Sequence, residues 1–556
     1  MTIPSFDPYL ELLLASRGRG LTSYVAMLAD FAQWVSTDID SQAAYTDRYA
    51  PPILETYDRN GTVVNRIVLN ARYEAQHAEV YQRGIVGLPY REGAPHLLTF
   101  AMGYLLAQAD ISLHCPVTLT GAVAYVLGYH APHHVRARYL HDVVRMDGLA
   151  KTGGTWATEQ HGGSDIGATA TRATRDNGRF RLHGLKWFTS NANSGLALAT
   201  ARPDGAPAGS EGLGLYLVPS HLEDGSSNSY RIRRLKEKLG TKGLPTGEIE
   251  LDGALAFEVA PPPHGLKMMM EALEYSRIHN AVGAAGIQRR ALREALEWTK
   301  SRRAFGRTLI QFPMVQDQLL ALRVRYEAST LLAFEAAIVF DEALTDPERR
   351  TWLRIATALA KYLSAEDAIA ATRSALELLG GNGYTRDFAT ERLLRDAQVL
   401  TVWEGPANIQ ALDLLRMLSA KYAGANHYEV RMRAILNSMP EPLSELRSRL
   451  ESRLSEDLSA IQQVGSSKQN AERYARKLLH RLSQSLAFGL MCEFASKAES
   501  AASSHCALTA IRYFEEIEPP ALGEENEQVR DSAVELLEET QITRAQSSSA
   551  TIAMRL

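Results

Sequence analysis

Cysteine is scarce. Three in 556 residues, Cys115, Cys492 and Cys506, are too few for a disulfide framework and lack metal-ligand spacing, so free thiols in a reducing compartment are the simplest reading. Long apolar runs are lacking too: none reads as long enough to span a bilayer. The N-terminal stretch MTIPSFDPYLELLLASRGRG puts acid before a short apolar run and has no long h-region, so no signal peptide is read there. The expectation is a cytoplasmic protein with no membrane partner. Charge of one sign is not in excess either: the formal net charge is -4, which calls for no obligate nucleic-acid partner. There is no internal repeat, no low-complexity tract and no GxxxxGK. The cluster Gly380-Gly-Asn-Gly383 looks like part of a dinucleotide fingerprint but follows a helical pattern rather than a strand, so that reading fails its context. A helix C-cap fits it better, and any nucleotide cofactor must be held some other way.

What is there falls into zones. Residues 1–150 read as helix, with HLLTFAMGYLLAQADISLHC (96–115) and GAVAYVLGYH (121–130) apolar at helical spacing, separated by breaks such as YAPPI (49–53). From 151 to 263 the texture is short β-branched and aromatic runs between Gly, Asp and Asn: GTWATEQ, GRFRLHGLKWFTS, LALATA, GLGLYLVPS and GEIELDGALAFEVA. That predicts an antiparallel β-domain, and without alternating helices it is no βαβ array. Helical texture returns over 264–424, with a long pattern at 267–303 that admits a break and further helices at about 314–344, 349–379 and 406–421. Residues 425–556 form an extra helical domain, with patterns near 428–460, 468–500 and 527–540 and a Pro519-Pro520 break. The tail QSSSATIAMRL lacks periodicity, the mark of a mobile end. Helix, strand, helix in that order gives an α+β protein.

Three clusters can carry chemistry. In Trp156-Ala-Thr-Glu-Gln-His-Gly-Gly-Ser-Asp165 a strand runs into a turn with the hydroxyls of Thr158 and Ser164 beside Gly162 and Gly163. Such a turn can approach a planar or anionic ligand closely, and a polar hairpin turn is an equal reading. In Lys186-Trp-Phe-Thr-Ser190 an aromatic pair precedes two hydroxyls. This could flank a planar ring, against the ordinary reading of core aromatics with a loop cap. The third is Leu378 to Tyr384 followed by Trp403-Glu-Gly-Pro-Ala-Asn408.

These clusters, with RRAFG (302–306), LLGGNGYTRDFATERLLRDA (378–397) and WEGPANIQ (403–410), occur in the order of the acyl-CoA dehydrogenase family, which the chain resembles over roughly residues 60–420. Within it the chain is most similar to the AidB-like branch, through its long N-terminal region, a CPVTLT stretch (115–120) and the extra C-terminal domain. The resemblance implies an N-terminal helical domain, a middle β-barrel-like domain and a C-terminal four-helix bundle. It also implies a homotetramer, with FAD between the β-domain and the bundle and a neighbouring subunit at its nucleotide end.

Carried over residue by residue, the resemblance places Thr158, Gly163 and Ser164 on the isoalloxazine and pyrophosphate side. Trp187 and Phe188 flank the ring, with Thr189 and Ser190 near its N5 edge. Arg302 and Phe305 reach the FAD of a neighbouring subunit, Gly380 and Gly381 admit a close backbone, and Trp403 to Asn408 close over the cofactor. Glu404 matches the catalytic base. Taking hydrogen from Cα–Cβ of a thioester needs a base on one face and a hydride acceptor on the other, and burial strengthens a carboxylate base. Standing alone, Glu404 would read as a helix N-terminal carboxylate favoured by the macrodipole. Arg277 matches an arginine near the substrate channel; a helix-surface ion pair is its other reading.

Pro406 and Asn408 depart from the usual Thr or Ser and Glu at those places. Proline removes a backbone donor and a hydroxyl, while Asn408 can still donate to a flavin oxygen or phosphate. The leading expectation is an acyl-CoA dehydrogenase passing electrons to an electron-transfer flavoprotein. The alternative is an AidB-like stress flavoprotein that binds DNA or deactivates alkylating agents. Arg473, Arg476, Lys477 and Arg481 share a helix face, with Arg447, Arg449 and Arg453 nearby. Interspersed acids and the acidic segment 515–527 favour a solvated face or a tetramer contact over a DNA platform. An oxidase of nitro compounds or amines would carry Asp at the base position, and Glu404 counts against it.

Overall fold

The computed structural model describes residues 7–17, 21–498, 500–521 and 523–538. The tail QSSSATIAMRL lies outside the described residues. The chain divides into two compact units, one of residues 34–279 and one of the residues up to Gln33 together with those from Asn280. In chain order come helices α1 (Pro8–Arg17), α2 (Val25–Trp34) and α3 (Asp40–Tyr49), strands β1 (Ile53–Tyr57) and β2 (Val63–Val68), then α4 (Ala71–Gln82), α5 (Leu88–Arg91), α6 (His96–Ala107), α7 (Ile111–Tyr129) and α8 (His133–Val143). The strands β3 (Gly153–Trp156), β4 (Arg172–Asp176), β5 (Arg179–Ser190), β6 (Leu196–Pro203), β7 (Gly214–Pro219), β8 (Tyr230–Leu235) and β9 (Thr246–Ala260) follow. The molecule is α+β, as its texture predicts.

The strands close on themselves. Their order is β6-β4-β5-β9-β7, and β7 pairs back with β6, which makes the sheet barrel-like; β3 extends from β6 and β8 from β9. Most pairings are antiparallel, as expected, and two depart from that pattern: β3–β6 and β4–β6 are parallel. Those neighbours are joined only through the intervening chain, and local alternation carries no information on direction. Alternating residues of the strands, Trp156, Leu182, Ala197, Ala199, Tyr216, Val218, Ile249 and Leu251 among them, fill the barrel core. Two strands, β4 and β8, are too rich in arginine to be read from the pattern.

The helical reading of the first 150 residues also needs correction. The β1–β2 hairpin interrupts it, where ILETY and VVNRIV carry β-branched residues with strand alternation. The membrane reading is corrected as well. α7 is long and apolar enough to cross a bilayer by length and composition, yet its whole apolar window is buried. A helix apolar all round is a core helix in such a setting. Thr120 on α7 ties it to the barrel, accepting from the Gly153 N–H at 2.9 Å.

α9 (Gly265–Ser301) is unbroken, although its pattern admits a break. After it come the short strands β10 (Arg303–Ala304) and β11 (Arg307–Thr308), then α10 (Pro313–Thr345), α11 (Arg350–Leu378), α12 (Thr390–Leu400), α13 (Ala407–Leu418), α14 (Gly424–Ser438), α15 (Ser444–Gly465), α16 (Lys468–Lys497), α17 (Ser500–Ile517), α18 (Glu527–Asp531) and α19 (Ala533–Leu536). The pattern near 428–460 is two helices, not one. Pro440 and Pro442 fall in the gap between α14 and α15, and proline lacks the N–H that a continuous helix requires. Within this unit Arg431 of α14 joins Glu335 of α10 (2.8 Å) and Glu493 of α16 (2.7 Å), and Arg17 of α1 also pairs with Glu335. The N-terminal helix thereby belongs with the C-terminal ones.

Candidate functional site

In the barrel unit the first two clusters come together. Beyond β3 the chain turns at Glu159–Gly162, and Glu159 also bridges Lys186 of β5. The Trp187 N–H donates to the Thr158 carbonyl at 2.9 Å. A buried ion pair locks this junction. Lys186 Nζ lies 2.8 Å from Glu159 Oε1 and also donates to the Thr200 carbonyl at 2.8 Å. Glu159 accepts further from the Ala170 and Thr171 N–H groups and the Thr171 hydroxyl. Burial pushes the Glu159 pKa up, but the Lys186 charge and these bonds outweigh it and hold the carboxyl below its ordinary value. For Lys186 burial wins, and its pKa is lowered despite Glu159. Neither residue stands out in the sequence; the only signal is a pair of charges inside strand-forming runs.

A β-bulge sets the positions beyond Lys186. Lys186 opposes Ile249 and Thr189 opposes Gly247, so Trp187 and Phe188 together face the single residue Glu248. The extra residue breaks the alternation of an ideal strand. Lys236 Nζ therefore meets both aromatics, 3.5 Å from the Trp187 ring centre and 4.9 Å from that of Phe188, while bonding Glu248 Oε1 at 2.6 Å. Trp187 is half-buried, Phe188 is exposed, and both lie outside the barrel core, so the core-aromatic reading is set aside. The Thr189 hydroxyl is buried and donates to the Gly247 carbonyl at 2.8 Å, which leaves it only as an acceptor for anything else. Ser190 beside it is half-buried. A side chain at Gly163 would press on Thr158 at 2.9 Å, so glycine there is what lets the turn close over that hydroxyl. Ser164 opens onto a cleft of about 460 Å³ also lined by Asp165, Ile166, Ser210, Leu266 and Met270.

In the helical unit Glu404 sits in the loop between α12 and α13. Its backbone is left-handed at φ 60°, followed by Gly405 at φ 95°. A non-glycine residue there costs about 1–3 kcal/mol and persists only where its surroundings impose it. The surroundings are visible: buried Lys361 of α11 donates through Nζ to the Gly405 carbonyl at 2.9 Å. Gln410 Nε2 donates to the Glu404 and Gly405 carbonyls at 3.0 and 3.1 Å. Pro406 is the N-cap of α13, so Glu404 stands ahead of the helix rather than in its first turn. Trp403 is half-buried, and its indole N–H has no partner among the described residues. Asn408, near the start of α13, is exposed.

The remaining expected positions in this unit are on its surface. β10 and β11 form a hairpin whose two loop residues, Phe305 (φ 49°) and Gly306 (φ 85°), both take positive φ, as a type I′ turn requires. A bulky residue there is strained, and Phe305 is 95% exposed. Arg302, just before the hairpin, is exposed and lies over the Trp298 ring. α11 ends at Leu378, and Gly380 is left-handed at φ 63°, the C-cap expected from sequence. Gly380 and Gly381 have open space where a side chain would project.

Arg277 on α9 is 3% exposed, which removes the helix-surface reading. Among the basic residues of α15 and α16, Arg476 pairs with Glu366, Arg481 with Glu456 and Asp457, and Arg449 with Glu445. Arg453 is buried against Ser485 and Glu518, and Arg447 bonds the Met439 carbonyl. This internal pairing offsets part of the charge on that face, on which Arg473 and Lys477 are exposed.

Comparison with known proteins places this arrangement. Residues 263–419 match the acyl-CoA dehydrogenase C-terminal domain, 154–254 the acyl-CoA dehydrogenase middle domain, and 6–147 the N-terminal domain of the adaptive response protein AidB. The chain belongs to the acyl-CoA dehydrogenase family, in its AidB-like branch. It is 32% identical over 438 residues to acyl-CoA dehydrogenase family member 11 of Caenorhabditis elegans, covering 75% of this chain and 70% of that protein. With the putative acyl-CoA dehydrogenase AidB of Escherichia coli K12 the identity is 30% over 412 residues, covering 71% and 74%. Among solved structures, C. elegans ACDH-11 in complex with C11-CoA superposes with a TM-score of 0.84 at 27% identity, over 91% of this chain and 89% of that one. The Bd2924 apo-form gives 0.80 at 30% identity, over 88% and 97%.

Proposed function

We propose that the chain is an FAD-dependent acyl-CoA dehydrogenase that oxidises the Cα–Cβ bond of an acyl thioester to the 2-enoyl thioester, with Glu404 as base. What carries the reading is the strained Glu404–Gly405 segment, held by Lys361 and Gln410 at the family's base position. Strain maintained by buried donors is a mark of functional loops. The ACDH-11 complex with C11-CoA supports an acyl-CoA as substrate.

The residues present fit FAD. In the barrel unit Trp187 and Phe188 offer a flat aromatic surface and the Thr158, Ser164 and Ser190 hydroxyls have no hydrogen bond among the described residues; in the helical unit, taken by itself, the Trp403 indole N–H is a buried unused donor. FAD, when bound, would supply a hydride acceptor. Thr158, Gly163, Ser164, Thr189, Ser190 and Asn408 would hold its polar edges and phosphates, while Arg302, Phe305, Gly380 and Gly381 would serve the cofactor of a neighbouring subunit in a homotetramer. Glu404 takes the α-proton, made acidic by hydrogen bonds to the thioester carbonyl; a positioned base contributes about 10²–10⁴-fold. Arg277, charged and buried, braces the substrate side. An electron-transfer flavoprotein would take up the electrons. Anaerobic mixing with a panel of acyl-CoAs bleaches the flavin, and Glu404→Gln abolishes the bleaching; bleaching that persists in the variant removes the assignment.

The match of residues 6–147 to the AidB N-terminal domain favours one further reading, a stress flavoprotein that binds DNA or deactivates alkylating agents. Duplex binding whose affinity falls with salt at a log–log slope of about -0.9 per phosphate contact would support it. No binding near physiological salt removes it.

A further inference from the structure

The cleft at Ser164 lies within the barrel unit and has three walls. The first is the loop from Ser164 to Ala168, the second the loop around Gly209 and Ser210, and the third the opening turns of α9 with Leu266 and Met270. Backbone joins the second wall to the third: the Gly265 N–H, at the start of α9, donates to the Leu213 carbonyl at 3.1 Å. The first and second walls abut at Gly167, where a side chain would press on the Ser210 nitrogen at 3.2 Å. Among the described residues no backbone hydrogen bond joins those two loops.

Arg202 joins them instead. Its N–H donates to the Thr171 carbonyl at 2.8 Å, which seats the residue in the barrel near the end of β6. Its guanidinium reaches both loops. Nη2 donates to the Gly167 carbonyl at 2.8 Å, and Nη1 donates to the carbonyls of Gly209, at 3.0 Å, and Pro207. A planar fork can serve two loops at once, which a compact ammonium on a flexible stem does poorly. Gly212 lets the second loop close on this fork, because a side chain there would run into Nη1 and the Pro207 carbonyl.

The lining says what the cleft takes. Ser164 and Ser210 present hydroxyls, Asp165 a carboxylate, and Ile166, Leu266 and Met270 apolar surface; no lining residue is a cation. A phosphate would meet Asp165 as a like charge. An uncharged chain bearing amides suits the site, with N–H groups for the oxygens and methylenes for the apolar wall.

We propose that Arg202 is a positioning residue for the substrate: by holding the Gly167 and Gly209 loops at one spacing, it preforms the seat of the uncharged, amide-bearing arm that carries an acyl thioester. The inference rests on the acyl-thioester reading above. Arg202 is not among the lining residues and acts through the two loops.

The test uses the FAD-loaded full chain, calorimetric titration with a saturated acyl-CoA and steady-state kinetics, with thermal melting as the fold check. The control is Arg172→Met: Arg172 lies opposite Arg202 in the β4–β6 pairing, is exposed and pairs with Asp204. Arg202→Met weakens acyl-CoA binding and raises KM, each about tenfold, as the loss of one charge-assisted bond implies. Its kcat and FAD content stay at wild-type values, the signature of lost uniform binding. Arg202→Lys, the milder change, shows the same loss in smaller measure, and Arg172→Met shows none. Added guanidinium ion restores binding by Arg202→Ala, which leaves room for it, and not by Arg202→Met. An acyl-pantetheine without the nucleotide suffers the same factor as the acyl-CoA. Wild-type affinity in Arg202→Met overturns the proposal, as does a fall confined to kcat or a parallel loss of FAD. A factor seen only with the full acyl-CoA overturns the assignment of the arm. A wild type that binds no acyl-CoA removes the acyl-thioester reading, and this inference falls with it; wild type alone thus tells the two failures apart.

Discussion

Lys361 Nζ donates to the carbonyl oxygen of Gly405 at 2.9 Å, across 44 residues of sequence. The bond fixes the peptide that follows Glu404, whose own backbone is left-handed. Lys361→Met keeps the bulk of the side chain and removes the donor. A misplacement of about 1 Å at a reacting group costs roughly 10²-fold in rate. We expect kcat to fall by about that factor, with KM and FAD content nearly unchanged. Steady-state kinetics against flavin content checks it; a change confined to KM would point to a different role.

The Glu159–Lys186 pair joins the turn after β3 to β5. Lys186→Met leaves a buried carboxylate without its cation, a loss of about 3–5 kcal/mol in comparable pairs, visible as a lower denaturation midpoint and weaker FAD retention. The sign in pH follows from the depressed pKa of Glu159. Its contribution is present above the ordinary Glu value near 4.5 and is lost as pH falls through the lower folded value. The wild-type advantage over Lys186→Met therefore shrinks in acid.

Asp367 on α11 titrates the other way. Burial pushes its carboxyl up to about 7, against the lowering effect of Arg325. Ionised in the unfolded chain from about 3.8, it costs the fold progressively as pH rises from about 4 to about 7, and the cost levels off above that. Asp367→Asn should raise the melting temperature at about pH 8 and leave it nearly unchanged at about pH 4. Equal effects at both pH values would contradict the shift.

Phe305 combines near-complete exposure with a left-handed backbone at a two-residue hairpin tip. Glycine relieves that strain, worth about 1–3 kcal/mol. Phe305→Gly should leave or raise apoprotein stability while weakening FAD binding about tenfold, measured by calorimetric titration of the apoprotein. Unchanged affinity would show that the ring does not cover a cofactor.

The order of motifs, the change from helical to strand texture near residue 150 and the C-cap at Gly380 are legible in the sequence because each is a local signal. What escapes is non-local or masked by composition. Parallel pairing of β3 with β6 depends on chain direction, which alternation does not encode. The bulge that puts Trp187 and Phe188 beside Lys236 is set by Glu248 on another strand. Lys361 reads as an ordinary helix residue, and only folding brings it across 44 residues to the Glu404 loop. α7 has the composition of a membrane span, and burial alone distinguishes it. The β1–β2 hairpin is hidden because two short strands lie among helices.

The assignment of Glu404 is tested most directly by proton exchange, which does not depend on where the electrons go. In D2O under anaerobic conditions, the holoprotein should incorporate deuterium at Cα of a bound acyl-CoA, followed by NMR or mass spectrometry. Glu404→Gln should slow that exchange by at least about 10²-fold with FAD still bound. Exchange at the wild-type rate in the variant would contradict Glu404 as the base.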